Sequence, residues 1–328
     1  MRPPLLTLLR RARWTTALVL LTACGGTLDA GSDARTDAAL PMSADNPFIV
    51  NNDGPFDNWQ GELMVLLAAN GLELAGLIIN DSGAWPDVDR NLSGWEAMLQ
   101  AAEASGIDDL PAPTPSPGPP LVEPSSGEIS DTEPNHSEGA ELIVRAALDA
   151  TNPPLVVVTG GRLTDVADAY LVEPAIADRV VVVASLGELT EQGANMGIPN
   201  GDMDPWATAI VAERLPYVQV SAYYDQLGDV PSARLPELPQ NPLGDWIAEK
   251  RDRIFETPIA SDQVAILTAA IPGFALRIDR SRHDGPAAAN AGETPALTID
   301  DAGSAWLVSK VDGELATQTF WNLLSEAF

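Results

Sequence analysis

The stretch FIVNNDGPFDN, residues 48–58, joins a short apolar run to a turn crowded with amides and carboxylates. The apolar run Phe48–Val50 predicts a first β-strand, and a helix-like stretch, Trp59–Ala69, follows the turn. In open α/β sheets, ligands bind beyond the carboxyl ends of the strands. The turn therefore predicts a ligand site at the edge of such a sheet. The alternative is an Asx-rich turn that only caps the next helix, because Asp and Asn favour turns and N-caps.

Apolar runs alternate with helical patterns along the rest of the chain. The runs predict strands buried on both faces, at residues 74–79, 154–158, 180–183, 217–221 and 305–311. Helical patterns lie between and after them, at residues 92–104, 137–150, 163–171, 205–214, 245–255, 263–270 and 314–327. Residues 110–134 are rich in Pro, Ser and Gly and predict an irregular loop, either a lid or a surface excursion. The alternation predicts an α/β fold with a mainly parallel open sheet covered by helices on both faces.

The first 25 residues have the pattern of an export signal. A basic segment at 10–13 precedes an apolar segment at 14–21, which is too short to span a membrane comfortably. The sequence LTACG then matches the bacterial lipobox, in which Cys24 is lipidated and becomes the new N-terminus. An ordinary secretory signal with an incidental cysteine is the alternative. Cys24 is the only cysteine, which excludes an intrachain disulfide and any CxxC site.

These patterns predict three regions in an exported, membrane-anchored bacterial lipoprotein, either periplasmic or on the cell surface. Residues 1–23 form the signal peptide, residues 24–46 a flexible acidic tether, and residues 47–328 a single α/β domain. The formal net charge is −29, which argues against nucleic acid and anionic lipid surfaces as partners. A small molecule and the lipid anchor are the expected partners.

Four segments rich in polar residues occur along the chain in the same order as the motifs of a known family. They are NDGPFDN at 52–58, VVTGGRLTDVA at 157–167, NGDMDP at 200–205 and RHDGPA at 282–287. In that order they resemble the DxDxxxDD signature, the TGxLTNxA segment, the Asn-then-Asp-Pro segment and the late His-Asp motif of the inosine/uridine-preferring nucleoside hydrolase family. The resemblance implies a nucleoside hydrolase-like fold from about residue 47 to the end of the chain.

This resemblance implies a Ca²⁺-dependent hydrolase that cleaves the N-glycosidic bond of a nucleoside by metal-activated water. The implied metal ligands are two carboxylates, an amide and a backbone carbonyl, from Asp53, Asp284, Asn58 and Thr159. Ca²⁺ binds about six to eight oxygen ligands of these kinds. Asp53 would also act as the base, because a bound cation lowers the pKa of its water and a neighbouring carboxylate can take the proton.

The substrate contacts implied by the resemblance come from Asp57, Asn200 and Asp284, which would bind the sugar. His283 would lie near the leaving base and protonate it. Asn80 follows the predicted strand 74–79, so we expect it at the same edge as a further substrate contact. We therefore expect Asp53 and Asp284 to converge on one cavity, with His283 at its mouth.

The chain departs from the family pattern at three positions. The first and last Asp of the signature are Asn51 and Asn58 here, and an amide offers one good oxygen and no charge. Ile198 replaces an acidic residue that the family carries two positions before the Asn200 match. The two amides predict weak metal binding, and Ile198 predicts the loss of a sugar contact. They leave two functions open: a hydrolase of nucleosides or related ribosyl compounds, or a weakened or inactive ribose- or carbohydrate-binding lipoprotein on the same fold.

Overall fold

A ten-stranded sheet forms the centre of the described part of the protein. The computed structural model describes residues 38–54, 59–83, 85–197, 200–221, 232–250 and 262–328. The strands are β1 Phe48–Asn52, β2 Leu74–Ile79, β3 Pro113–Pro115, β4 Leu155–Thr159, β5 Val180–Ser185, β6 Gly193–Asn195, β7 Tyr217–Val220, β8 Ala275–His283, β9 Ala296–Ile299 and β10 Ala305–Val311. Their order in the sheet is β3-β2-β1-β4-β5-β7-β10-β8-β9-β6.

Helices cover both faces of the sheet, as the sequence predicts. They are α1 Gln60–Ala69, α2 Val88–Ala104, α3 Glu138–Asp149, α4 Thr164–Val172, α5 Pro205–Arg214, α6 Pro242–Glu249, α7 Gln263–Ala270, α8 Gly285–Asn290 and α9 Gly313–Ala327. One core layer contains buried apolar side chains of α1, α2, α6, α7 and α9. The other contains those of α3, α4 and α5. The predicted α/β fold class is confirmed.

The central strands run parallel and end level with one another. Asn51 on β1 pairs with Ile78 on β2 and with Thr159 on β4, and Thr159 pairs with Ala184 on β5. These strands are buried on both faces, which explains why their sequences are continuous apolar runs. The register brings the carboxyl ends of β2, β1 and β4 to one edge of the sheet, which we call the carboxyl edge.

The strands β8, β9 and β6 extend the sheet in antiparallel fashion. β8 pairs antiparallel with β10, so Ala275 lies opposite Val311 and Ser281 lies opposite Ala305. Because β10 runs parallel to β7, β8 begins near the carboxyl edge and ends at the amino edge. The sequence pattern does not predict β8, since its residues ALRIDRSRH are charged and mostly partly exposed.

The segment 110–134, predicted as an irregular loop, is tied to the core by polar contacts. It contributes the short strand β3, which pairs with β2, and a single 3₁₀ turn at Ile129–Asp131. The Ser116 hydroxyl donates to Asp165 Oδ1 over 2.5 Å. The backbone N–H of Leu121 donates to Asp204 Oδ2 over 2.8 Å. These buried hydrogen bonds attach the segment to the core. They therefore favour a surface excursion over a lid that opens and closes.

The chain contacts the domain before residue 47. Leu40, Met42 and Ala44 pack against the core, and Trp306 Nε1 donates to the Ala39 carbonyl over 3.2 Å. The last residues of the predicted tether therefore lie on the domain surface. Among the helices of the described ranges, none is both long and apolar enough to cross a membrane.

Candidate functional site

The turn after β1 is held in a defined shape by its own polar groups. The Asp53 N–H donates to Asn52 Oδ1 over 2.9 Å, and the Gly54 N–H donates to Asp53 Oδ1 over 2.7 Å. Trp95 Nε1, from helix α2, donates to the Asp53 carbonyl over 2.7 Å. Asp53 is only 3% exposed, and these hydrogen bonds hold its backbone and its carboxylate at the carboxyl edge.

Asn80 joins this turn from the neighbouring strand, as predicted for the same edge. Its N–H donates to the Asn52 carbonyl over 2.9 Å, and its Nδ2 donates to Asn51 Oδ1 over 2.7 Å. Asn91 Nδ2 donates to the Asn80 carbonyl over 3.1 Å and holds this segment in place. Two buried amides thus face each other across β1 and β2.

The end of β4 and the turn before α5 contribute the remaining described residues next to the turn after β1. Thr159 is the last residue of β4, and the next N–H, that of Gly160, donates to the Asn51 carbonyl over 3.1 Å. Asn200 Nδ2 donates to the Gly160 carbonyl. The structure therefore brings four predicted site residues, Asp53, Asn80, Thr159 and Asn200, to one edge.

Asp262 also lies at this edge, although no sequence motif marks it as a site residue. It directly precedes helix α7, which packs on β4 and β5, and it is 4% exposed. A Cβ atom on Gly160 would lie 2.2 Å from Asp262 Cγ, so the Asp262 carboxyl group occupies the space that a side chain at 160 would need. The only local sequence feature that could have indicated Asp262 is its position directly before an almost wholly apolar helix. That pattern also fits an acid that only caps the helix N-terminus.

The predicted convergence of Asp284 with Asp53 is wrong. Asp284 follows the end of β8 at the amino edge, whereas Asp53 follows β1 at the carboxyl edge. β8 also lies five places from β1 in the strand order, or about 24 Å across the sheet at about 4.8 Å per strand. The physical reason is the antiparallel direction of β8, which carries its last residue away from the carboxyl ends of the parallel strands.

Asp284 and His283 have local partners where they lie. The backbone N–H of Ala296 donates to Asp284 Oδ1 over 2.7 Å, which ties the end of β8 to β9. His283 Nε2 lies 3.7 Å from a Glu213 carboxylate oxygen near the end of α5. Burial lowers the pKa of His283, against the opposing effects of Glu213 and Asp284. The predicted roles of His283 in leaving-group protonation and of Asp284 in metal and sugar binding do not fit this position.

The groups at the carboxyl edge fit a hard cation in their chemistry. Asp53 and Asp262 supply carboxylates, and the surrounding amides and carbonyls supply neutral oxygens, the ligand types that Ca²⁺ prefers. Asn80 Oδ1 and Asn51 Nδ2 are buried and have no hydrogen-bond partner within the described part of the chain. An unsatisfied buried polar atom costs about 1–3 kcal/mol, which stability alone does not explain. The described residues contain no cluster of three or more Asp, Glu, His or Cys side chains that could hold a metal ion, so any cation here would depend on amide and carbonyl oxygens as well as on the two acids.

Several predicted residues lie outside the described residues. They are the ribose ligand Asp57, the metal ligand Asn58, the substituted position Ile198 and the lipidation site Cys24. Their roles stay predictions from the sequence.

Solved structures to which this chain is similar include nucleoside hydrolases. An inosine-uridine preferring nucleoside hydrolase from Bacillus anthracis has a TM-score of 0.56 and 15% identity, covering 85% of this chain and 99% of that chain. An inosine-guanosine nucleoside hydrolase has a TM-score of 0.58 and 16% identity, with coverages of 85% and 99%. A plant nucleoside hydrolase has a TM-score of 0.56 and 14% identity, with coverages of 85% and 98%.

No family model and no curated protein matches the chain. The likeness to the solved structures, at these identities, establishes the fold alone. The fold implied by the sequence resemblance is therefore confirmed, whereas the activity implied by it stays a prediction.

Proposed function

We propose that this protein is a hydrolase that cleaves the N-glycosidic bond of a nucleoside or a related ribosyl compound. The observation that carries the proposal is the placement of two buried acids, Asp53 and Asp262, at the same carboxyl edge as the amides Asn80 and Asn200. This is the edge where α/β sheets bind ligands. The fold shared with nucleoside hydrolases supports the reaction class.

We further propose that Ca²⁺ binds at this edge. Asp53, Asp262 and the Thr159 carbonyl would hold it, together with the predicted ligand Asn58. When bound, the ion would lower the pKa of a coordinated water and favour hydroxide at neutral pH. Because Asn51 and Asn58 are amides and the described site has few charged ligands, we expect weak affinity, on the order of millimolar.

The side chains of the site have separate tasks in the proposed reaction. Asp53 takes a proton from the attacking water as the water oxygen bonds to the anomeric carbon and the bond from that carbon to the base nitrogen breaks. The proton returns through solvent to the departing base. Asn80, Asn200 and the predicted ligand Asp57 orient the sugar, and negative charge at Asp53 and Asp262 stabilises the developing oxocarbenium ion.

The test is an assay of reducing-sugar release from inosine, uridine, adenosine and guanosine in the presence of 10 mM Ca²⁺, a concentration of about ten times the expected dissociation constant. Asp53→Asn and Asp262→Asn should lower kcat by at least about 100-fold, as expected for loss of a proton acceptor or of charge stabilisation. Asp284→Asn and His283→Ala are matched controls from the opposite edge and should retain activity within about twofold. Loss of activity in the control variants with full activity in Asp262→Asn would contradict the proposed site.

A binding function without turnover is the second candidate. The observation that favours it is the replacement of a signature carboxylate by Asn51, whose Oδ1 is already engaged by Asn80. In that case calorimetry would detect ribose or a nucleoside binding to the wild-type protein, while no sugar would be released. Asn51→Asp and Asn58→Asp would then leave turnover absent, whereas in a weakened enzyme they should raise it.

We propose that the protein is anchored by lipid at Cys24, facing the periplasm or the cell surface. The lipobox-like LTACG segment is the support for this localisation. Mass spectrometry of the mature protein should find a diacylglyceryl-modified N-terminal cysteine. Cys24→Ser should release the chain from the membrane fraction, and an unmodified Cys24 in the membrane-bound protein would overturn the proposal.

A further inference from the structure

Gln60 is a buried polar residue at the first position of helix α1. It is 1% exposed, and the helix continues with the apolar residues Leu63–Leu67, which are all fully buried. A buried amide without partners is costly. Its partners therefore indicate why a polar side chain occupies this position.

Gln60 connects two parts of the site that are far apart in sequence. Its Oε1 accepts a hydrogen bond from Asn52 Nδ2. Its Nε2 donates to the carbonyl of Asp262, 202 residues later, over 3.3 Å. The same Asn52 side chain, through its Oδ1, accepts a hydrogen bond from the N–H of Asp53 over 2.9 Å.

We infer that Asn52 and Gln60 form a two-amide bridge that positions Asp53 and Asp262 relative to each other. Each amide uses its oxygen as acceptor and its NH₂ group as donor, so the bonds run in one continuous series from the Asp53 N–H to the Asp262 carbonyl. This series of bonds fixes the backbone of Asp53 and of Asp262, and therefore the points from which the two carboxylates extend. Asn52 and Gln60 are positioning residues, and the inference deepens the proposed function because it concerns the same site.

The Asp262 carbonyl also anchors the first turn of helix α7. It accepts the N–H of Ala265 over 3.1 Å in addition to the bond from Gln60. The Asp262 side chain is pressed against Gly160, so a change in its backbone position would move the carboxylate relative to β4. Loss of the bridge should therefore loosen the start of α7 and the turn after β1 together.

Neutral amides are suited to this role beside two acids. A carboxylate at position 60 would lose the donor that bonds to Asp262 and would add a negative charge near the carboxylates of the site. A methionine would keep the approximate size and flexibility of glutamine and remove the hydrogen bonds to Asn52 and Asp262. Gln60→Met and Gln60→Glu therefore disrupt the bridge by different routes.

The experiment compares the wild-type protein with Gln60→Met, Gln60→Glu, Asn52→Ala and the double variant Asn52→Ala/Gln60→Met. The control is Asn70→Ala, because Asn70 Nδ2 donates to the carbonyls of Leu66 and Leu323 at the far end of the same helix. Amide hydrogen exchange is measured without ligand, and Ca²⁺ affinity is measured by calorimetry. Thermal unfolding of each variant reports the general loss of stability.

The bridge predicts faster amide exchange at residues 52–54 and 262–267 in each Asn52 and Gln60 variant. It also predicts a rise of about 10-fold or more in the Ca²⁺ dissociation constant, the size seen when a group that orients a metal ligand is removed. The double variant should be no worse than the poorer single variant, because either change breaks the same connection. Asn70→Ala should lower the unfolding temperature and leave both readouts at the wild-type value.

Unchanged exchange at residues 262–267 in Gln60→Met would overturn the bridge, as would an equal change in Asn70→Ala. Additive effects of the two single changes on Ca²⁺ affinity would also overturn it. If the wild-type protein binds no Ca²⁺, the proposed metal dependence fails, but the exchange measurement still decides whether the bridge exists. The two failures are therefore distinguishable.

Discussion

Glu62, two residues after Gln60, has a carboxyl group that is buried completely in helix α1. Its Oε1 accepts a hydrogen bond from Trp246 Nε1 over 2.9 Å, whereas its Oε2 has no hydrogen-bond partner within the described part of the chain. Burial raises the pKa of Glu62 to about 7, despite the opposing effects of the Trp246 hydrogen bond and Lys250. The group therefore titrates in the folded protein near neutral pH, where an exposed glutamate is fully ionised.

Glu62→Gln should stabilise the protein at alkaline pH. The folded state binds the proton more tightly than the unfolded state, so the contribution of Glu62 to stability is fully present below about pH 4.5 and is lost as the pH rises through about 7. The loss amounts to about 3 kcal/mol. Denaturant unfolding of both proteins from pH 5 to pH 8.5 should show the advantage of the glutamine variant growing with pH. A difference that is constant over this range would contradict the assignment.

Gly160 is a residue where the absence of a side chain shapes the site. Gly160→Ala would place a Cβ atom 2.2 Å from Asp262 Cγ, so the Asp262 carboxylate would have to move. We expect a loss of stability of about 1–3 kcal/mol from this overpacking, together with weaker Ca²⁺ binding by calorimetry. Gly118→Ala is the matched control, because a Cβ atom there meets no atom within 4 Å. Similar results for the two variants would contradict the close packing of Asp262.

At the element scale, one acid ties the segment 110–134 to the helices beneath it. Asp204 accepts hydrogen bonds from the Leu121 N–H, the Thr164 hydroxyl and the Ala207 N–H, at 2.8, 2.7 and 3.0 Å. The last of these caps helix α5, which has proline at its first turn. The same side chain therefore starts a helix and holds a loop, so the loop is expected to open only when this part of the core loosens.

Asp204→Ala should destabilise the protein by about 2–4 kcal/mol, because it removes a helix cap and leaves buried donors unsatisfied. Hydrogen exchange should increase at residues 116–124 and in the first turn of α5. Asp202→Ala is the control, since Asp202 is exposed, and we expect it to cost less than about 1 kcal/mol. A mobile lid would instead show rapid exchange at 116–124 already in the wild-type protein.

At the scale of the whole molecule, the net charge of −29 and the proposed cation site make different contributions to stability. Any salt screens the repulsion among the many acids. A specific site adds mass-action stabilisation that depends on the identity of the cation. The two contributions are separable because only the second needs Asp53 and Asp262.

Ca²⁺ at 10 mM should stabilise the wild-type protein by about 1.4 kcal/mol beyond NaCl of equal ionic strength, for a dissociation constant of about 1 mM. Calorimetric unfolding scans should show this gain in wild type, Asp284→Asn and His283→Ala. Asp53→Asn and Asp262→Asn should lose it. An equal gain in all variants would mean that Ca²⁺ acts only through the general charge of the protein.

The amino-acid sequence by itself determined the parallel part of the sheet and the polar edge where β1, β2 and β4 end. Continuous apolar runs and the Asx-rich turns after them are local signals, because a strand buried on both faces needs apolar residues throughout. The placement of Asn51, Asp53, Asn80 and Thr159 together follows from strand direction alone. This much of the site could be predicted without coordinates.

Only the tertiary structure decided which distant acid joins Asp53. Asp262 and Asp284 both precede helices, and nothing within a few residues of either shows which edge of the sheet it reaches. The choice depends on the antiparallel pairing of β8, a partly exposed and charged strand without an apolar run, and on the packing of α7 against β4 and β5. Pairing and packing of this kind join residues far apart in sequence, so local sequence patterns do not predict them.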